Sequence, residues 1–137
     1  MPAVTRWFIK SSLLYLAAAL ALAIWLAGQP FGLPVVPGLS PVLFHFFLVG
    51  WVTQMIMGVG YWFFPKFNLQ QPRRSEPLGW AVFWLLNAGL LLRGLAEPLL
   101  SMGPGFYWVA ALVSSAILQW LAGVLFVVNT WARIKER

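Results

Sequence analysis

Four apolar runs, separated by short segments rich in proline, glycine and charge, account for almost all of this 137-residue chain. They cover approximately 12–28, 41–64, 78–96 and 106–131, and each is close to the roughly 20 mainly apolar residues that a helix needs to cross a bilayer. The joints are marked by residues that end helices. Gly28, Pro30, Gly32, Pro34, Pro37 and Gly38 predict a first turn, because proline lacks the backbone donor and glycine resists ordering. Ser40-Pro41 offers an N-cap and an N1 proline for the second run, and Pro65 closes it. Pro72 and Pro77 bracket a polar joint with Arg73, Arg74, Ser75 and Glu76, while Pro98, Gly103, Pro104 and Gly105 predict the last turn. The pattern predicts a single all-α domain: a four-helix transmembrane bundle with little mass outside the bilayer.

Composition agrees with the pattern. Hydrophobic residues make up 61% of the chain and charged residues 9%, against about 25% charged in ordinary soluble domains. There is no cysteine, which excludes disulfides, iron–sulfur clusters and thiolate metal sites. The net charge of +6 does not point to nucleic acid, since no basic run interleaves with aromatics. The cations instead gather at helix ends. Arg6 and Lys10 precede the first run, Lys66, Arg73 and Arg74 fill the second joint, and Arg133, Lys135 and Arg137 follow the fourth. The positive-inside rule then predicts cytoplasmic N and C termini, with tryptophans near the span ends as an interfacial belt. Arg6 and Lys10 ahead of an apolar run also fit a secretory leader, with Leu26-Ala27-Gly28 as a cleavage site. The run is read as a retained membrane helix.

Candidate chemistry is sparse. The one histidine, His45, lies about a turn inside the second run, where an imidazole is costly to bury without a partner. Neutral imidazole is a good axial ligand for haem iron, and Phe44, Phe46, Phe47 and Trp51 are apt neighbours for a macrocycle. The alternative is a histidine that hydrogen-bonds water or backbone near the interface. Arg93 and Glu97 are four residues apart, so they can pair on one helix face. Arg93 then either meets an anionic group, such as a haem propionate, or simply snorkels with Glu97 as partner. Gln54, Asn87, Ser115 and Gln119 read as substrate or proton-path residues or as hydrogen-bonding contacts between helices. A proton path would need a buried acid, and the spans hold only Glu97. No catalytic triad, carboxylate pair or phosphate loop is present.

The stretch from His45 to Trp84 resembles part of the large catalytic subunit of haem–copper oxidases. The resemblance rests on His45 near one helix end, the glycine-rich aromatic exit Gly58-Val59-Gly60-Tyr61-Trp62-Phe63-Phe64-Pro65, the joint Pro72-Arg73, and then Phe83-Trp84-Leu85-Leu86-Asn87. It covers roughly a third of the chain. It implies that His45 is an axial ligand of a low-spin haem, in a helix descending from the outer face. The family's remaining haem and copper ligands come from later helices that have no counterpart here, so the chain is not expected to reduce oxygen alone. One ligand per chain implies either an open sixth position, suited to gas binding, or a haem shared by the His45 residues of a two-fold homodimer. The expectation is a small b-type cytochrome of a prokaryotic cytoplasmic membrane, holding haem b through His45 with Arg93 on a propionate. Its task would be electron transfer or gas binding, with respiratory-chain proteins as partners. The competing expectation is a haem-free structural subunit or assembly factor of a respiratory complex. A small transporter fits less well, because the pattern shows no broken helix, inverted repeat or acidic midplane site.

Overall fold

The computed structural model describes residues 1–70, 74–103 and 105–134. Pro72, Arg73, Pro104, Lys135 and Arg137, which entered the reading of joints and topology, lie outside the described residues. Four helices are each long and apolar enough to cross a membrane: α1 Ala3–Gly28, α2 Leu39–Phe63, α3 Glu76–Met102 and α4 Phe106–Trp131. No strand occurs among the described residues. The predicted all-α, four-span architecture is the architecture observed.

The boundaries differ from the sequence pattern in three places, each with a local cause. α1 starts at Ala3 rather than near Ser12, so Arg6 and Lys10 lie on the helix instead of before it. Arg and Lys are good helix formers, and their flexible stems let the charge reach outward from an exposed position. α2 is entered from Gly38, not from a Ser40 cap. Gly38 adopts φ 79°, and a Cβ there would lie 2.6 Å from the Glu97 carbonyl oxygen, so backbone and neighbour both require glycine. α3 continues through Pro98 for one more turn to Met102, and Ser101 Oγ donates to the Glu97 carbonyl at 2.8 Å. A proline this near a helix end removes only one ladder bond.

α1 and α2 form one antiparallel hairpin, and α3 and α4 form the other. The hairpins meet along α2 and α3 around Phe8, Tyr61, Val82, Phe83, Leu86 and Leu90, all buried. Without a hydrophobic drive between helices in lipid, close approach at small residues supplies the packing. Gly50 is a close example between α1 and α2: a Cβ there would lie 2.6 Å from Cγ of Tyr15. Gly50→Leu is therefore expected to push α1 from α2 and cost about 3 kcal/mol, the upper end for overpacking. Gly123→Ala, where nothing lies within 4 Å, should be neutral or slightly stabilising. The shift in the midpoint of unfolding by sodium dodecyl sulfate in mixed micelles measures both.

Candidate functional site

His45 is the last residue of the first α-helical segment of α2, and the next eight residues, Phe46–Thr53, form a π-helix. The span stays continuous from Leu39 to Phe63, but the sequence pattern did not anticipate this change of winding. Such wide turns in a helix often coincide with functional sites. Thr53 Oγ1 donates to the carbonyl of Leu48 at 2.9 Å, five residues back, as the wider winding requires.

The wide winding changes which way the first part of α2 faces. Gln54, Met57, Gly58 and Tyr61 are buried and define the inner face below the π-segment. Counting back at 3.6 residues per turn would place the inner face near Gly50, between Phe46 and Phe47, and at Leu43. His45 would then sit half a turn away, facing out of the bundle. Instead Val42 is buried and Phe46 packs inward, its ring meeting Tyr15 at 5.1 Å between centroids and lying 2.9 Å from a Cβ built on Gly94. The π-segment has turned this stretch by about one residue, roughly 100°. His45 accordingly lies on the flank of the helix, partly buried.

His45 Nδ1 lies 2.9 Å from the carbonyl oxygen of Pro41. A carbonyl only accepts, so Nδ1 carries the proton and donates. In the neutral ring Nε2 is then the unprotonated nitrogen, with its lone pair free. Metal-binding histidines are oriented this way, one ring nitrogen donating to a carbonyl and the other presented to the metal. Phe44, beside it, is exposed, and its ring centroid is 6.4 Å from the imidazole. An apolar groove of about 340 Å³ between α1 and α2 opens next to it, against Phe44 and Phe47.

Arg93 and Glu97 do pair, Nη2 to Oε1 at 2.9 Å, with both side chains mostly buried. The pair leaves Arg93 Nε buried without a hydrogen-bond partner, so the guanidinium keeps one donor in reserve. Contact between Phe46 and Gly94, the immediate neighbours of His45 and Arg93, places the two candidates at the same level of the bundle. Among the described residues no group of three or more His, Cys, Asp or Glu side chains converges.

The polar residues of the spans form two separate ties. Gln54 Nε2 donates to Asn87 Oδ1 at 3.3 Å, linking α2 to α3, while Asn87 Nδ2 donates to the Phe83 carbonyl at 2.8 Å. Ser115 Oγ donates to the Gly89 carbonyl at 2.7 Å, linking α4 to α3, and accepts from Gln119 Nε2 at 3.0 Å. Interhelical bonds of this kind contribute about 0.6 kcal/mol each in a membrane; the Gln119 bond lies within α4, and Gln54 Oε1 is buried without a partner.

One residue that sequence reasoning assigned only to topology is central at the opposite end. Arg133 is 1% exposed. Its Nε, Nη1 and Nη2 donate to the carbonyls of Pro65, Tyr61 and Phe64 at 3.1, 3.0 and 2.7 Å, and its guanidinium lies 5.5 Å from the Tyr61 ring centroid. It caps α2. Around it Tyr61 Oη and Asn129 Nδ2 both donate to the Ser75 carbonyl at 3.1 Å, and Arg74 Nη1 donates to the Val128 carbonyl. Ser75 Oγ in turn accepts from the Leu78 N–H at 3.3 Å, capping α3. Comparison of the chain with protein-family models, with curated proteins and with solved structures finds no match.

Proposed function

We propose that this protein is a small b-type membrane cytochrome in which His45 Nε2 is an axial ligand to haem iron. The observation that carries the reading is the Nδ1–Pro41 hydrogen bond, which leaves Nε2 as a lone-pair donor on the flank of α2. When bound, haem would supply a one-electron iron couple or a site for a diatomic gas. His45 holds and orients through its proton on Nδ1, and Arg93, level with it and with Nε unpartnered, offers a donor to a propionate. A second copy of the chain related by a two-fold axis would bring another His45 to the same iron. The grouping of Arg6, Lys10, Lys66, Arg74 and Arg133 toward one end of the bundle favours a cytoplasmic location for that end and for both termini. His45 and Arg93 would then lie near the outer face of a prokaryotic cytoplasmic membrane, in reach of respiratory-chain partners.

The test is an absorption spectrum of the detergent-purified protein from haem-replete cells, oxidised and reduced. A Soret band is expected in the wild type, with at least tenfold less haem in His45→Ala and an altered band in His45→Met. A wild-type preparation with no Soret band would falsify the reading. The second reading, a haem-free subunit of a larger complex, is favoured by α4. That helix packs chiefly on α3 and leaves Tyr107, Val113, Ile117, Trp120 and Trp131 exposed. Colourless protein that co-purifies with large membrane partners supports it.

A further inference from the structure

The Tyr15 side chain is 8% exposed, in the middle of α1, and its hydroxyl makes no hydrogen bond among the described residues. The hydroxyl oxygen is therefore open to the groove that Tyr15 lines, and a hydroxyl that meets only hydrocarbon there costs several kcal/mol on a scale where nothing can bond it. Unlike serine, tyrosine cannot reach back to its own helix carbonyls. Ser12, Ser101 and Thr130 all satisfy themselves in that way, bonding carbonyls three or four residues earlier. Ser11, one turn before Tyr15 on the same face, makes no such bond. Two hydroxyls, four residues apart, therefore stand together without protein partners.

They stand at the end of a continuous groove between α1, α2 and α3. A stretch of about 290 Å³ is lined by Ser11, Tyr15 and Asn87, and it shares Ala18, Phe46 and Leu91 with an almost wholly apolar stretch of about 660 Å³ that reaches Trp25. Asn87 Oδ1 accepts from Gln54 and its Nδ2 gives one proton to the Phe83 carbonyl, so of the polar groups at this end the two hydroxyls are the ones with no bond at all. Small-molecule sites have this make-up, apolar walls with a few placed polar groups. The polarity is confined to one end.

We propose that this groove binds a lipid-soluble molecule whose carbonyl head accepts a hydrogen bond from Tyr15, assisted by Ser11, and whose apolar body lies along Ala18 toward Trp25. A carbonyl is the matching group, because it supplies an acceptor at low desolvation cost in an apolar setting. The site is lined by α1, α2 and α3 and does not depend on haem. Its ligand rests on Phe46, the residue after His45.

The experiment uses an alkyl benzophenone, a lipid-soluble ketone that crosslinks on illumination, with the full-length protein in detergent micelles and mass-spectrometric mapping of the adduct. Labelling is expected on residues of α1, α2 or α3 that line the groove, and a decyl quinone should compete with it while dodecane should not. Tyr15→Phe should weaken quinone competition about threefold to tenfold, the range for one hydrogen bond. Ser11→Ala should act in the same direction. Ala18→Phe, which fills the shared part of the groove, should abolish labelling while elution volume and helicity stay unchanged. Equal competition by dodecane and by quinone, or no effect of Tyr15→Phe when Ala18→Phe blocks labelling, overturns the carbonyl-headed ligand in favour of an acyl chain. Labelling indifferent to Ala18→Phe overturns the site. A wild type with no Soret band but with quinone-sensitive labelling sinks the cytochrome and leaves this site standing.

Discussion

Replacing Arg133 by leucine is expected to destabilise the folded protein by about 4 kcal/mol, the largest single-residue effect in the molecule. The last carbonyls of any helix lack intrahelical donors, and the partial negative charge there favours a cation. In α2 the chain leaves the helix at Phe64 in an extended conformation, with no glycine cap to turn donors back onto those carbonyls. From one guanidinium Arg133 bonds the Tyr61 carbonyl in the last turn and the Phe64 and Pro65 carbonyls just beyond it. Hydrogen bonds to charged groups are worth about 1.5–3 kcal/mol each and are not additive, so roughly 4 kcal/mol is a fair sum for three made by one side chain. Leucine would fill the volume but withdraw the cationic donor from the buried Tyr61 carbonyl and from the partly exposed carbonyls of Phe64 and Pro65. Arg133→Lys should recover less than half, because an ammonium is a point charge and not a planar fork. Arg74→Ala, which removes an exposed contact to Val128, should cost under about 1 kcal/mol. Unfolding midpoints in mixed micelles rank the three, and a leucine variant as stable as wild type would show that the cap contributes nothing.

On the proposed cytochrome reading, deleting one residue from the π-segment should nearly eliminate haem binding while leaving a folded bundle. Removing Val52 lets Phe46–Thr53 wind as an ordinary α-helix, and everything before it turns back by about 100° relative to Gln54. His45 then faces out of the bundle, and Phe46 gives up its place against Gly94 and Tyr15. The expected outcome is at least a tenfold fall in bound haem at nearly unchanged helicity. Because the chain has no cysteine, a spin label on His45→Cys reports the rotation without haem. Its collision rate with lipid-dissolved oxygen should rise in the deletion background. If haem content and oxygen access are both unaltered, the wide turn does not aim the histidine.

The spans were legible because hydrocarbon demands long apolar runs, and few other patterns produce them. The site was legible only in its components. His45 stood out as the one imidazole, and the spacing of Arg93 and Glu97 announced their ion pair. The π-segment was not legible: Phe46-Phe47-Leu48-Val49-Gly50-Trp51-Val52 is apolar on every face, so no periodicity marks where the winding widens. Nor was the capping role of Arg133, since a cation after a membrane helix has an ordinary topological explanation. A signal did exist. An α2 that ends in aromatics and proline with no glycine or asparagine cap needs a donor from elsewhere, and Arg133, just past α4, lies at the same end of the bundle. The stop at Pro98 failed for a complementary reason, since a proline in the last turn leaves most of the ladder intact.

The Arg133 cap also has a consequence for the order of synthesis. Tyr61 and Arg133 are 72 residues apart, so the end of α2 leaves the ribosome, enters the bilayer and waits through two further spans before its donor exists. During that interval the first hairpin must hold itself by the contacts of Tyr15 on Gly50 and Phe8 on Gly58. A nascent chain stalled before position 133 should therefore be inserted yet remain open to protease at the Tyr61–Pro65 corner, and become resistant once translation passes that arginine.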